Sequence, residues 1–215
     1  MTGLVGIRLS CRRSERVVFT RLDFSIESGG ALLLSGPNGS GKSSLLRLIA
    51  GLIKPFTGHL EYEGTRLQDD PARHREIIAY LGHQDAVKSM LTVGESTRFW
   101  AGLYDHPSDA HAAMAAMGLS DLADTPGRFL SSGQRRRAAL ARVIAGGTPV
   151  WLLDEPTVGL DAKSIAALES ALAAHRMRGG IVLAATHAPI ALPGAAELNL
   201  AEFEPQGFLD DADAA

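Results

Sequence analysis

The sequence predicts an α/β fold with a largely parallel, buried β-sheet, an antiparallel β lobe near the N-terminus and an inserted helical subdomain. Short apolar segments, among them ALLLSG, VWLLDE and GIVLAATH, alternate with segments of helical spacing, which is typical of parallel strands covered by helices. Residues at about 4–10 and 17–27 alternate between apolar and polar side chains, and this period of two favours antiparallel strands. From about 85 to 145 helix signals dominate, including the capping-box spacing of Thr92 and Glu95.

Length and composition suit one domain over residues 1–215. A formal net charge of −3 argues against a globally basic nucleic-acid binder, and a single cysteine excludes an internal disulfide. No apolar run approaches the ~20 residues that span a bilayer, and the N-terminus lacks the features of a signal peptide. We therefore expect a cytosolic protein, or one held at a membrane only by a partner. The acidic tail FLDDADAA is expected to be loose, and we assign no function to it.

The segment GPNGSGKS, residues 36–43, fits the phosphate-binding pattern G-x-x-x-x-G-K-[ST] and lies between an apolar strand and a helix. Its glycines allow backbone N–H groups to face phosphates, and the helix N-terminus adds the positive end of its dipole. Lys42 is expected to reach the β- and γ-phosphates, and the Ser43 hydroxyl to ligate Mg²⁺. The predicted nucleotide-binding residues are Gly36, Pro37, Asn38, Gly39, Ser40, Gly41, Lys42, Ser43 and Ser44.

Two carboxylates, Asp154 and Glu155, follow the apolar segment VWLL. The carboxyl end of a parallel strand is where open α/β sheets bind ligands, so Asp154 is predicted to hold Mg²⁺ and Glu155 to act as a general base. As isolated residues they could also be solvated helix-capping acids, but the nearby phosphate loop favours the site. His187 follows a second apolar strand and is predicted to contact the γ-phosphate. Gln84 follows the strand-like segment IIAYLGH and has neutral hydrogen-bonding capacity.

A second Ser-Gly-Gln turn, LSSGQ, opens a helix at residues 130–134 and is followed by three arginines, Arg135, Arg136 and Arg137. A basic triplet is compatible with RNA or DNA binding. We favour a solvated helix face that aids the electrostatics of nucleotide binding, because the chain as a whole is not basic.

Taken together, GPNGSGKS, Gln84, LSSGQ, VWLLDEP, GLD and His187 resemble, in order and spacing, the motifs of an ABC-type nucleotide-binding domain over nearly the whole chain. The pairing of the phosphate loop with LSSGQ is highly specific, because other P-loop families lack that signature. The resemblance implies a P-loop NTPase core that binds ATP and Mg²⁺ and hydrolyses ATP. It also implies a head-to-tail pair of domains, in which ATP on one phosphate loop is capped by the signature turn of the other.

The resemblance assigns roles to the remaining motif residues. A chain with one loop and one signature is expected to pair with a second copy of itself or with a related domain. Ser131, Ser132, Gly133 and Gln134 would then contact the partner's nucleotide, and Asp161 would lie at the dimer seam. Glu155 would activate water, His187 would stabilise the γ-phosphate, and Gln84 would sense Mg²⁺, whose predicted ligands are Ser43, Gln84 and Asp154.

One position departs from the family pattern. The family usually places an aromatic residue against the adenine upstream of the phosphate loop, whereas CRRSERVVF offers none before Phe19. Arg13 lies nearest the expected position. Because a planar guanidinium can stack on a base, Arg13 is predicted to contact the adenine.

The segments AYLGHQDAVKSMLTVGES and LSCRRSERVVF make the chain look like the ATP-binding subunit of the cytochrome c maturation system, the CcmA or heme exporter type. That resemblance implies an ATPase coupled to heme export or release, peripheral on the cytoplasmic side of a bacterial inner membrane. Its partners would be a small six-span permease subunit of the CcmB type and heme-handling membrane factors, and no nucleic acid. The permease is expected to dock on residues at about 85–95, on Val87, Met90 and Leu91. The alternatives are a drug or polysaccharide exporter ATPase, or a soluble ATPase of iron–sulfur assembly.

Overall fold

Two sheets and six α-helices make up the computed structural model, which describes residues 3–104 and 109–205. In chain order the elements are β1 (Gly3–Arg13), β2 (Arg16–Glu27), β3 (Ala31–Ser35), α1 (Lys42–Ile49), β4 (Thr57–Tyr62), β5 (Thr65–Arg66), α2 (Pro71–Ile77), β6 (Ile78–Leu81), α3 (Val93–Ala101), α4 (Ala110–Ala116), α5 (Ser132–Gly146), β7 (Val150–Asp154), α6 (Ala162–Met177), β8 (Ile181–Ala185) and β9 (Ala196–Asn199). Short 3₁₀ turns cover Ser120–Leu122, Gly127–Phe129 and Leu200–Phe203. The acidic C-terminal tail lies outside the described residues.

The larger sheet has five parallel strands in the order β6-β7-β8-β3-β9, and the smaller has the order β2-β1-β4-β5 with antiparallel pairing. The smaller sheet contains both strands predicted near the N-terminus. Helices α3, α4 and α5 all fall between β6 and β7 in the chain. The predicted α/β class, with a parallel core and an N-terminal antiparallel lobe, is confirmed.

Every residue of β7 and β8 is buried, because both faces of the parallel sheet are covered. Side chains that alternate along β7 pack into two different hydrophobic cores. Leu152 joins a cluster with α1 and the antiparallel sheet, whereas Trp151 and Leu153 join a second cluster with α5 and α6. The sheet is therefore the central layer, and α1 lies between it and the antiparallel lobe.

Helix starts follow the capping signals in the sequence. Thr92 caps α3, and its hydroxyl and the Glu95 carboxylate each accept a backbone N–H of the other residue. Asp70 caps α2 by accepting the N–H of Arg73, with Pro71 in the first turn. None of the helices in the described ranges has the length and apolar character needed to cross a bilayer.

A buried histidine packs against the second core. The His175 ring, in the last turn of α6, stacks on the Trp151 indole with 3.8 Å between the ring centroids and 7° between the planes. Burial lowers the pKa of His175 to about 4, and the nearby Arg178 adds to the effect. The ring is therefore neutral in the folded protein at neutral pH.

The stability of the protein should fall as the pH drops from about 6.5 to 4. Over that window the unfolded chain takes up a proton on His175, whereas the folded chain keeps the ring neutral until about pH 4. The full contribution is present above about pH 6.5 and amounts to at most about 3 kcal/mol. Urea unfolding at a series of pH values measures it. His175→Phe keeps an aromatic ring on Trp151 and should flatten the slope, whereas His111→Phe, at an exposed position of α4, should not. Equal slopes for both variants would contradict the assignment.

Candidate functional site

The phosphate loop joins β3 to α1 and takes a left-handed backbone at three glycines, with φ of 122° at Gly36, 88° at Gly39 and 105° at Gly41. At Gly41 there is also no room for a side chain, because a Cβ atom would lie 2.7 Å from a methyl group of Val18. Only glycine satisfies both conditions. The loop therefore curls tightly against β2 and presents the N-terminus of α1 to the cleft.

Two side chains at the start of α1 make contacts across the loop. The Lys42 ammonium donates to the carbonyl oxygens of Gly36 and Pro37 at 2.6 and 3.0 Å. The Ser43 hydroxyl donates to Oδ1 of Asp154 at 3.0 Å, which joins the loop to the end of β7. The other carboxylate oxygen of Asp154 is buried and lacks a hydrogen-bond partner within the described residues. A hydroxyl beside an unsatisfied carboxylate oxygen fits Mg²⁺, which prefers oxygen ligands.

Glu155 takes a left-handed backbone with φ of 51°, a conformation that non-glycine residues rarely adopt and that clusters at functional sites. Its N–H donates to the carbonyl of Ala185 in β8 at 2.7 Å. Its carboxylate accepts the backbone N–H of His187 at 3.3 Å and lies 3.6 Å from Nε2 of the His187 ring. The ends of β7 and β8 thus bring the predicted base and the predicted γ-phosphate contact together.

An open cleft of about 890 Å³ lies above the loop. Among the predicted residues, those that line it are Arg13, Asn38, Gly39, Gly41, Lys42, Ser43, Ser44, Asp154, Glu155 and His187. Its lining also includes Ser14, Arg16, Val18, His83 and Val158, which the sequence analysis did not assign to the site. Arg16 could have been predicted from its place in the basic segment around Arg13. His83 could have been predicted from its position directly before Gln84. Gln84 is exposed and does not line this cleft.

The signature turn lies apart from the chain's own cleft, since none of its residues lines it. Ser131 is the N-cap of α5, and its hydroxyl accepts the N–H of Gln134 while the Gln134 amide oxygen accepts the N–H of Ser131. Ser132 is exposed, and a Cβ on Gly133 would lie 2.9 Å from the carbonyl oxygen of Gly159. A turn separated from its own nucleotide site is what the head-to-tail prediction requires.

Asp161 has a local role in α6. It is the N-cap of that helix, and its carboxylate accepts the N–H of Ser164 at 2.8 Å. Hydrogen bonds from the side chain and backbone of Ser164 lower the pKa of Asp161. The predicted place of Asp161 at a dimer seam stays a prediction.

The arginine triplet is not the solvated helix face that the sequence suggested. Arg136 is only 3% exposed, and its guanidinium forms hydrogen bonds to four backbone carbonyls and an ion pair with Asp85. Arg137 donates to the carbonyls of Met117 and Gly118 just after α4. The prediction was wrong because these acceptors come from segments far away in the chain.

The comparisons with known proteins identify the family of the chain. Residues 19–158 match the family model "ABC transporter". The chain belongs to the ABC transporter family. A "Cytochrome c biogenesis ATP-binding export protein CcmA" from Paramagnetospirillum magneticum is 53% identical over 91% of this chain and 92% of that protein. A protein of the same name from Rhodospirillum rubrum is 50% identical over 93% and 86%. These identities place the chain in the CcmA group of ABC proteins.

Solved structures show the same ABC fold. An "ATP binding subunit of ABC transporter" superposes with a TM-score of 0.79 at 26% identity and covers 86% of this chain and 80% of its own. A dimeric, post-hydrolysis ATP-binding cassette bound to ADP and phosphate gives a TM-score of 0.75 at 24% identity, covering 86% and 88%. The chain is thus an ATP-binding subunit of the ABC type, an ATPase coupled to transport.

Replacing Lys42 with Ala should weaken ATP binding, because the ammonium at the loop is the charge expected to meet the β- and γ-phosphates. Titration with a fluorescent ATP analogue should show a Kd weaker by at least about tenfold, as expected for loss of a charge-assisted contact. Lys54→Ala removes an exposed lysine beyond α1 and should bind like the parent chain. Equal affinities for the two variants would remove Lys42 from the site.

Proposed function

We propose that this ABC ATPase energises heme export or release for cytochrome c maturation, as a homodimer on the cytoplasmic side of a bacterial inner membrane. The observation that carries this proposal is the 53% and 50% identity to proteins named for cytochrome c biogenesis export, over nine-tenths of the chain. Its membrane partner would be a small permease subunit of the CcmB type, together with heme-handling membrane factors.

The geometry of the cleft supports a direct hydrolysis of ATP. The phosphates would lie on the loop and the N-terminus of α1 beside Lys42, in a cleft that Arg16 also lines. A water held by the Glu155 carboxylate attacks the γ-phosphorus, and Glu155 accepts its proton as the bond to the leaving ADP oxygen breaks. His187, within 3.6 Å of that carboxylate, donates a hydrogen bond to the γ-phosphate oxygens. Arg13 stacks on the adenine.

Ser43 and Asp154 are the side chains that would hold Mg²⁺, whereas Gln84, the third predicted ligand, does not line the cleft. The buried, unsatisfied oxygen of Asp154 supports this assignment. When bound, the ion supplies positive charge that neutralises the phosphate oxygens.

A second copy completes the site in this proposal. The signature turn does not line the chain's own cleft, and the cassette that superposes with a TM-score of 0.75 is a dimer with ADP and phosphate bound. Ser132, Gly133 and the N-terminus of α5 would cap the partner's γ-phosphate. Gln134 and Ser131 would hold that helix end in shape.

The permease would dock on an apolar patch that we define as Met90, Leu91 and Phe129. Met90 and Phe129 are 71% and 66% exposed, and backbone hydrogen bonds join residues 89–91 to residues 127–128. Val87, expected from the sequence to belong to this surface, is half-buried and packs against the second core. Phe129 takes its place, and it directly precedes the signature turn.

Glu155→Gln should bind ATP normally, dimerise with Mg-ATP and hydrolyse ATP at least about a hundredfold more slowly, because the amide cannot accept the proton of water. Steady-state phosphate release gives the rate, and size-exclusion chromatography with light scattering gives the dimer. Glu27→Gln, at an exposed strand end, is the control. Undiminished turnover in Glu155→Gln would exclude Glu155 as the base.

Tagged Glu155→Gln protein should recover a small six-span membrane protein and heme-handling factors from native membranes with Mg-ATP, identified by mass spectrometry. Adding Met90→Asp should reduce that recovery several-fold without loss of ATP binding, because docking would remove a charged carboxylate from water within an apolar patch. Met177→Asp, on α6 at a position 82% exposed, is the matched control. A different permease would keep the transporter class and change the substrate, whereas recovery of only soluble assembly factors would contradict the proposal.

A further inference from the structure

Arg136 is a buried cation, 3% exposed, that binds the backbone of the predicted base from outside the nucleotide cleft. It lies in the second turn of α5, and it does not line the cleft. Its Nη2 atom donates to the carbonyl oxygen of Asp154 at 2.7 Å and also to that of Glu155. Its Nε atom donates to the carbonyl of Pro156 at 3.4 Å. The guanidinium thus holds three successive carbonyls at the end of β7.

The other edge of the same guanidinium binds the segment that contains Gln84. Nη1 donates to the carbonyl of Gly82 at 3.1 Å and to the Asp85 carboxylate at 2.8 Å. The Asp85 side chain is 24% exposed, so this ion pair lies where the segment leading to the docking patch leaves the core. One side chain therefore joins the signature helix, the end of β7 and the segment around Gln84.

The contacts at Glu155 have a specific mechanical consequence. Glu155 is held in a left-handed conformation, which is stable only where surrounding contacts determine it. Arg136 fixes the carbonyls on both sides of the Glu155 Cα atom, and the N–H of Glu155 is fixed by Ala185. These contacts set the direction in which the Glu155 carboxylate leaves the backbone.

The chemistry of the contact requires arginine. Five acceptors from two chain segments surround one planar group, and only a guanidinium offers a rigid fork with five donors. A lysine ammonium has three donors on one atom, so it could satisfy one segment and not both. Arg137, on the same helix, binds only the carbonyls of Met117 and Gly118 and makes no such link.

We propose that Arg136 is a positioning residue that aims the Glu155 carboxylate and couples it to the Asp85 segment and the signature helix. The inference rests on the proposed role of Glu155 as the base. Movement of Asp85 when a partner docks, or of α5 when the dimer closes, reaches Glu155 through this one guanidinium. Arg136 thereby sets the rate of hydrolysis and leaves nucleotide affinity to the loop.

The test compares kcat, KM and the Kd for a fluorescent ATP analogue in the purified full chain. Arg136→Lys should lower kcat by about tenfold to a hundredfold, the loss typical of a misplaced catalytic group, with KM and Kd within about twofold of the parent. Asp85→Asn should lower kcat by a smaller factor in the same pattern. Arg137→Gln is the matched control and should keep the parental kcat. Unchanged kcat in Arg136→Lys would overturn the proposal.

A double substitution separates positioning from simple loss of structure. In the Glu155→Gln background, Arg136→Lys should cause no further loss of rate, because residues that act as a unit are not additive. An equal further loss in that background would overturn the proposal. If Arg136→Lys does not fold, Asp85→Asn decides, and a parental kcat there counts against the coupling. Full turnover in Glu155→Gln would instead refute the proposed base. Failure of the Arg136 proposal alone would appear as slow turnover in Glu155→Gln together with a parental kcat in Arg136→Lys.

Discussion

The burial of α1 between the two sheets is the constraint on which the nucleotide site depends. Leu45, Leu46, Leu48 and Ile49 are at most 1% exposed, and each such side chain contributes about 1.5–3 kcal/mol when fully buried. A helix of eight residues would not persist alone in water. Its packing on both sheets holds Lys42 and Ser43 at one end of the parallel sheet, and the hydrogen bond from Ser43 to Asp154 follows from that placement.

The same layering gives the two adjacent carboxylates, Asp154 and Glu155, different surroundings. Asp154 ends a strand whose five residues are all buried, so its carboxylate is enclosed and turned toward Ser43. Glu155 lies one residue beyond, and the left-handed turn there directs its side chain to His187 instead. Two adjacent carboxylates thus face different partners because the chain changes direction between them.

The sequence was sufficient for features that depend on local patterns. The loop at residues 36–43, the caps at Thr92 and Asp70 and the parallel order of apolar strands each follow from neighbouring residues, and the structure agrees. The burial of Arg136 was not predictable in this way, because its acceptors lie at Gly82 and at residues 154–156. A run of arginines next to a helix start has the same appearance in the sequence whether it faces water or a set of carbonyls. Val87 was misplaced for the same reason, since it packs against the second core and lies close to Gly127, forty residues further along the chain.

The capping box of α5 limits what the signature turn can offer a second copy. Within the helix cap, the Ser131 hydroxyl already accepts the N–H of Gln134, and the Gln134 amide oxygen accepts the N–H of Ser131. The exposed Ser132 hydroxyl and the first N–H groups of α5 that the cap leaves free can still donate, with the positive end of the helix dipole behind them. A surface of donors without a carboxylate suits an anion such as a γ-phosphate. Because Arg136 lies one turn further along the same helix, a shift of that helix end on a partner's phosphate would, in the proposed coupling, act directly on the contacts that hold Glu155.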